Sequence, residues 1–415
     1  MPSHIAWVAA LARRLPFYYG WVILFCACCA GFSRQGGAVA PLSIFVEPMT
    51  REFGWSRTAL SGAVSLGGLL AALTSPTIGG LLDRTGARIV LCVAILMTGT
   101  ANLLLSLTGS LAMFYLLFCI ARTNFAGPFD LGIYGAVNNW FVARRALATG
   151  IATVAQMSGL VILPLIAQAA IARDGWRAGW VAVGIAVLAV GLIPSFVFVV
   201  RRPEDLGLVP DRSSASIHAR RRQGEPEFSR AQALRTSSFW LLCLFTLFAY
   251  PVQAGVSLHQ APYLVECGLS PTTAAGIVSV FSLMSGIASL GFGLFPRSVP
   301  IRYALVLTAI ALSIGTSIML GIASAHDGFI AASFFGIGVG GLLTLLPIAW
   351  ADYYGRASYG AIRGIALSVQ VLAQASGPLL SGILRDWSGN YALSLRCFVA
   401  LSCLSIVAAL LARQP

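Results

Sequence analysis

Long apolar runs constrain this chain more than any motif in it. Trp21 to Ala30, Leu60 to Ala72, Ile89 to Leu107, Trp180 to Val200, Trp240 to Tyr250 and Tyr303 to Ala323 each carry few or no charges. About 20 such residues in a row cross a bilayer as a helix. Reading on through the more Gly-broken stretches gives about twelve spans of that class, at 18–47, 57–82, 88–108, 111–138, 146–171, 177–200, 237–264, 272–295, 301–323, 328–353, 361–384 and 391–412. In lipid each must be a helix, because a helix satisfies its own backbone hydrogen bonds. Only 10% of the residues are charged, against roughly 25% in a soluble domain, so a water-exposed surface cannot be built. The expected fold class is all-α, a polytopic membrane protein. Many of the 43 glycines lie inside spans, as in Gly67-Gly68 and Gly336 to Gly341, where they let helices pack closely.

Every one of the 27 basic residues is arginine, and their placement orients the chain. With the N-terminus inside, the cytoplasmic segments hold Arg13, Arg14, Arg84, Arg88, Arg144, Arg145, eight arginines between Arg201 and Arg235, Arg297, Arg302, Arg356, Arg363 and Arg413; the outer segments hold Arg51, Arg57, Arg173, Arg177, Arg385 and Arg396. Positive charge concentrates at cytoplasmic ends, so both termini are expected in the cytoplasm and a bacterial inner membrane is the expected location. The net charge of +13 is a topology signal, and scattered arginines exclude a nucleic-acid surface. Eight of the nine cysteines lie inside spans without a His or Cys at ligand spacing, so they read as small hydrophobes and no metal is expected. Arg13-Arg14 precedes an apolar run, but no small-residue cleavage site follows before Arg34, so the first span is expected to be retained.

GIATVAQ (Gly150 to Gln156) returns 214 positions later as GIALSVQ (Gly364 to Gln370). The same offset matches EFGWSRT from Glu52 with ECGLSPT from Glu266, and pairs Pro48 with Pro262, Gly62 with Gly276, Gly79 with Gly293, Arg88 with Arg302 and Gly127 with Gly341. One offset held over many segments marks a duplication. Six spans per copy make the copies parallel repeats. The expected organisation is a six-helix half at 1–200, a cytoplasmic linker at 201–236, rich in Pro, Ser, Gly and charge, and a second half at 237–415. The linker is assigned no chemistry; His218 and Arg220 to Arg222 read as solvated or resting on anionic headgroups.

This pattern resembles the major facilitator superfamily, and GGLLDRTGAR, Gly79 to Arg88, matches its loop signature G-x-x-x-D-R-x-G-x-R. Within that superfamily FYYGW from Phe17, FGWSR from Phe53, WFVARRALATGIA from Trp140 and SGPLLSGILRDWSGNY from Ser376 look like the monocarboxylate porter and oxalate/formate exchanger group. The resemblance implies twelve helices in two pseudo-symmetric bundles. It also implies a latch of Gly79, Asp83, Arg84, Gly86 and Arg88, in which Asp83 meets the N-terminus of the eleventh helix near Gly360 when the cytoplasmic side is closed. In the second copy Arg297 stands at the place of Asp83, so the latch is expected to be asymmetric. The group's helix-eight charges are missing, since 272–295 holds none. Either the anion rests on other arginines, or the substrate is not a simple monocarboxylate.

An ion at mid-bilayer is costly unless it faces water or a partner, so buried charges are the functional candidates. Arg34 in GFSRQGG, Arg122 in CIARTNF and Asp130 correspond in the second copy to Phe248, Gly336 and Thr344. Arg34 has no acid in its own helix turn, and guanidinium forks onto both oxygens of a carboxylate, so Arg34 is expected to hold an anion. Arg122 is a second anion contact or, as the resemblance implies, a coupling or packing residue. Eight helical steps from Arg122 to Asp130 give ~12 Å of rise at ~80° of rotation, which argues against their pairing. Gln35, Asn124, Gln156, Tyr250, Gln253, Gln260, Gln370 and Gln374 are neutral candidates for the cavity, with helix-to-helix hydrogen bonding as the plain alternative. Asp130 and His259 are the candidates for proton coupling, although a lone His near a helix end is commonly structural.

The sequence therefore reads as a secondary transporter of a small organic anion, a mono- or dicarboxylate, by alternating access, coupled to protons or working by exchange. No ATP-binding signature occurs, no cofactor is implied, and a monomer in the lipid bilayer is expected. A drug or neutral-solute exporter of the same fold and a transporter-like sensor are the alternatives. An enzyme is disfavoured, because no span carries a catalytic cluster.

Overall fold

The computed structural model describes residues 2–211, 227–294 and 299–415; His218, Arg220 to Arg222 and Arg297 lie outside the described residues. The helices are α1 (Pro2–Arg14), α2 (Gly20–Arg34), α3 (Val39–Phe53), α4 (Arg57–Thr85), α5 (Ala87–Leu105), α6 (Leu111–Ala126), α7 (Pro128–Trp140), α8 (Arg145–Phe198), α9 (Arg230–Leu234), α10 (Ser237–Glu266), α11 (Pro271–Gly293), α12 (Ile301–Met319), α13 (Ala325–Tyr354), α14 (Tyr359–Ser388) and α15 (Ala392–Leu411). Eleven helical stretches among the described residues are long and apolar enough to cross a membrane. One of them, α8, has 54 residues and turns non-helical at Gly175 (φ 82°, ψ 175°). At ~1.5 Å per residue it is more than twice the bilayer core of ~30 Å, so it is two spans, and the total is twelve, six in each half. Gly20–Phe53 and Leu111–Trp140 are each one span made of two helices.

Side-chain caps set several helix starts. The hydroxyls of Ser56, Ser110, Thr236 and Ser270 accept the N–H of Ala59 (3.0 Å), Met113 (3.3 Å), Phe239 (3.3 Å) and Thr273 (3.1 Å), satisfying first-turn donors that have no helical partner. The duplication appears at this local level. Gly54 and Gly268 share a positive φ (69° and 88°), and so do Gly175 and Gly389 (82° and 76°); Ser56 and Ser270 cap the next helix in each copy. Each of these pairs keeps the offset of the sequence repeat.

The chain divides into two compact units, Met1–Glu227 with Tyr354–Ser368, and Phe228–Tyr353 with Val369–Pro415. The first turns of α14 thus pack with the first unit. In that unit Phe45 stacks on Trp180 at 3.8 Å, and the Tyr19 hydroxyl donates to Phe198 O at 2.9 Å. Asp211, in the chain after α8, accepts the N–H groups of Ala143 (3.0 Å) and Arg144 (2.9 Å) in the turn before α8, which ties the start of the linker to this unit. In the second unit bare backbone brings helices together: a methyl at Gly377 would stand 2.1 Å from Pro251 O, and one at Gly340 2.1 Å from Ser285 O.

In the first unit Gly37 also lies against bare backbone, where a methyl would stand 2.2 Å from Ala121 O. Gly68 has nothing within 4 Å of such a methyl. Gly37→Val should therefore cost about 1–3 kcal/mol and lower the thermal midpoint in detergent by several degrees, whereas Gly68→Val should leave it within a degree or two. Equal midpoints for the two variants would contradict this packing.

Candidate functional site

Two interrupted spans meet in the first unit. The first span stops being α-helical at Arg34, makes a single 3-10 turn over Gln35–Gly37, extends at Ala38 (ψ 163°) and resumes as α3. The fourth breaks at Gly127 (φ −117°, ψ −86°), and Pro128 opens α7, a position where its missing N–H costs nothing. The contact of Gly37 with Ala121 brings these regions together. Arg34 lies in the last turn of α2 and Asp130 in the first turn of α7, so each charge has the sign that its helix end stabilises.

Asp130 is shared. Its Oδ2 lies 3.4 Å from Arg34 Nη2 and its Oδ1 3.2 Å from Arg363 Nη2. Arg363 comes from the first turns of α14, and its side chain is 1% exposed. Arg34 also donates through Nη1 to Gln156 Oε1 (2.6 Å) and through Nε to Phe125 O (2.9 Å). Gln156 reaches it over Gly31, where a methyl would stand 2.6 Å from the glutamine Cγ. The Gln156 amide nitrogen donates to the Tyr134 hydroxyl (3.1 Å), and Thr153 donates to Thr149 O (2.9 Å). The remaining Tyr134–Thr153 contact at 3.2 Å must then carry the tyrosine's proton toward threonine, because the threonine has only one to give.

Arg122 is different. Its guanidinium carbon sits 4.6 Å from the centre of the Phe125 ring, and that of Arg34 sits 4.7 Å from the same ring. Its stem crosses Gly67, where a methyl would stand 2.6 Å from the arginine Cβ. Among the described residues Arg122 makes no ion pair, and its buried Nε has no hydrogen-bond partner. Arg34 has no acid in its own helix turn, but Asp130 of the fourth span supplies one. The continuous-helix geometry assumed between Arg122 and Asp130 is void, because Gly127 interrupts it, though the two indeed do not pair.

The last turns of α4 and the Gly86 link to α5 form a second constellation. Asp83 Oδ1 accepts Gly360 N–H (2.8 Å) and Oδ2 accepts Ala361 N–H (2.7 Å), using first-turn donors of α14. Arg201 donates to the Asp83 carbonyl. A methyl at Gly79 would stand 2.0 Å from Gly360 O, and Gly86 turns at φ 83°. Arg84 is exposed, and Arg88 lies over the Phe196 ring at 4.9 Å. Beside this, Arg356 pairs with Glu204 and donates to Asn139 O at 3.1 Å. Partial burial pushes the Glu204 carboxyl up, but the Arg356 hydrogen bond, a backbone hydrogen bond and the charges of Arg356 and Arg202 together hold the group below its ordinary value. A depressed carboxyl stabilises at neutral pH and loses that contribution as pH falls through the folded value.

In the second unit His259 lies between the Tyr391 hydroxyl (Nδ1, 3.1 Å) and Pro378 O (Nε2, 3.2 Å). A carbonyl only accepts, so Nε2 carries a proton, and both ring nitrogens are hydrogen-bonded. Gln374 Nε2 donates to Gln253 Oε1 at 3.2 Å. Tyr250 and Gln370 are buried, and so is Gln260, whose amide atoms have no partner among the described residues. In the first unit Gln35 and Asn124 are buried, and the Asn124 amide nitrogen likewise has no partner there.

Residues 23–378 match the model of the Major Facilitator Superfamily. The chain belongs to that superfamily. It is a multi-pass membrane protein of a transporter family and not an enzyme. It is 28% identical to the membrane sensor protein UhpC of Salmonella typhimurium over 77% of each chain. It is 22% identical to monocarboxylate transporter 2 of Rattus norvegicus over 94% of this chain and 83% of that one. The solved proton:xylose symporter XylE matches with a TM-score of 0.73 at 15% identity over 94% of both chains. The transporter FucP in its outward conformation matches at 0.68 and 14%, over 95% of this chain and 100% of that one. These structural likenesses show the fold.

Placed in the superfamily fold, several charges read from the sequence as loop or topology residues have specific partners. Arg363 lies within the apolar span 361–384 and was nevertheless grouped with the cytoplasmic arginines; that position was the available signal. Arg145 is 1% exposed and donates to Phe141 O (3.2 Å). Nothing in the linker's composition signalled Arg201, Glu204 or Asp211 as tying residues.

Asp83→Asn keeps the shape of the loop but removes the charge that holds two amides. A hydrogen bond to a charged group contributes about 1.5–3 kcal/mol, so exchange at the Gly360 and Ala361 amides should quicken about tenfold or more, as read by hydrogen–deuterium exchange of the peptide covering them. Unaltered protection would remove Asp83 from the role of holding α14.

Proposed function

We propose that the protein is a secondary active transporter of a small organic anion, a mono- or dicarboxylate, working by alternating access in a bacterial inner membrane with both termini cytoplasmic. The observation that carries this reading is Arg122. A guanidinium buried on one nitrogen, without an acid, beside a second guanidinium on the same ring, is a charge in want of an anion. Arg34 and Arg363 share one acid, Asp130, and Arg122 lies over the Phe125 ring with no ion pair among the described residues. A substrate carboxylate supplies the missing negative charge and can take both forks of Arg122. Arg34 is the second contact, with its Asp130 pair at 3.4 Å, longer than the ~2.7–2.9 Å of a tight charge-assisted bond. Relatives named as monocarboxylate transporters support the anion class. The interrupted first and fourth spans fit the way transporters build central sites from broken helices.

A second reading has its own support: a relative of comparable length is a membrane sensor protein. A sensor binds without moving its ligand across.

Uptake of radiolabelled lactate, pyruvate, oxalate and succinate into proteoliposomes separates the two, since a sensor binds and gives no flux. Arg122→Gln should lower affinity for the transported carboxylate by roughly ten- to a hundred-fold, as expected for losing about 1.5–3 kcal/mol. Arg122→Lys, which keeps the charge but not the fork, should fall between. The anion reading is wrong if Arg122→Gln transports like the parent, or if the parent moves only cations and neutral solutes.

A further inference from the structure

Helix α1 belongs neither to a span nor to the site. Its 13 residues are too few to hold a helix alone in water, so its order depends on what its faces touch. One face meets the protein: Val8 is 0% exposed, and the helix packs on the 3-10 turn Pro203–Leu206 that carries Glu204. The Trp7 ring lies 6.3 Å from that of Phe198, the last residue of α8. A second stripe faces outward. Trp7, Ala10 and Arg14 follow one another at helical spacings of three and four, and Phe17 continues the line just past the helix. All four are exposed, Trp7 by 51% and Phe17 by 50%. Arg13 is exposed as well and gives its Nε to Ala9 O at 3.3 Å. Neither Arg13 nor Arg14 makes an ion pair among the described residues, and the chain holds no acid before Glu47.

We propose that α1 is an interfacial helix that docks on anionic phospholipid, with Trp7 and Phe17 at the boundary between headgroups and acyl chains and Arg13 and Arg14 on lipid phosphates. Its height against the bilayer is fixed by the spans it joins. The first span begins at Gly20, the sixth ends at Phe198, and the Tyr19 hydroxyl bonds Phe198 O. Just inside that level Phe25 of α2 and Ile193 and Phe196 of α8 are exposed, so surface that only hydrocarbon can cover runs up to α1. Aromatic rings beside arginines are what a headgroup boundary favours. The pairing recurs at neighbouring span ends, with Arg88 over Phe196 (4.9 Å) and Arg144 over Trp21 (5.9 Å). Guanidinium forks onto phosphate oxygens, and an anionic leaflet attracts each arginine near its surface. A soluble acidic protein would answer the two charges, but it would have to displace the bilayer from Trp7 and Phe17. The docking does not depend on which solute is carried.

The test uses the full protein in lipid nanodiscs of phosphatidylcholine, with and without phosphatidylglycerol, and reads hydrogen–deuterium exchange in the peptides covering α1. Exchange there should be roughly ten- to thirty-fold slower in the anionic discs, the ratio expected for two arginines at a charged surface. Salt at about 1 M, where the screening length is ~3 Å, should remove the difference. Replacing both exposed arginines, Arg13→Gln with Arg14→Gln, should remove it too, while peptides of α2 and α8 exchange as in the parent. Equal exchange of parental α1 in neutral and anionic discs overturns the proposal, and so does a full lipid effect in the double variant. Protection of α1 that arises in neutral discs only when a soluble cytoplasmic fraction is added would give this face to a protein and overturn the proposal as well.

Discussion

Hydrocarbon does not solvate charge, so each ion inside the first unit has to be answered by another group of the protein or by a ligand. Asp130 answers two arginines at once. Around that shared carboxylate the local structure falls into place: α2 ends at Arg34, α7 begins just before Asp130, and each charge sits at the helix terminus that favours its sign. The first turns of α14 add Arg363 to the same carboxylate and their backbone amides to Asp83. What stays unanswered is Arg122, and that imbalance is the chemical character of the site.

Bare backbone makes this arrangement possible. Four glycines make room for the site: Gly31 admits Gln156, Gly37 admits the α6 backbone, Gly67 admits the stem of Arg122, and Gly79 admits the start of α14. At Gly37 and Gly79 the close atoms are backbone, so a side chain there would push the segments apart. Small residues at helix crossings are how membrane helices gain contact where no hydrophobic force pulls them together. Here they also bring polar groups within reach of one another.

Some of the site was legible in the chain. Asp83 stood out through the family resemblance, whose signature is local, ten residues from Gly79 to Arg88, and the resemblance implied the helix N-terminus near Gly360 as its partner. Arg34, Arg122 and Asp130 stood out as charges in apolar surroundings. Their pairing did not, because spacing along a continuous helix does not contain the break at Gly127 that brings Asp130 to Arg34. Arg363 counts among the cytoplasmic arginines by its place near a span end, and that place does not reveal its burial against Asp130. His259 reads more readily as a structural residue than as a proton carrier, and both of its ring nitrogens are hydrogen-bonded in the second unit.

The sequence by itself determined the membrane spans, their number and the duplication. In lipid the backbone must satisfy its own hydrogen bonds, so an apolar run of sufficient length has one outcome, and turn glycines and cap serines repeat at one offset whatever lies around them. Only the tertiary structure decided which charges are neutralised and which is not. Asp130 and Arg363 stand 233 positions apart in the chain, and their meeting depends on helix crossings set by glycine contacts rather than on spacing along either segment. Electrostatic energy in a low dielectric varies steeply with distance, and distance between remote segments is the quantity that no local pattern of residues contains.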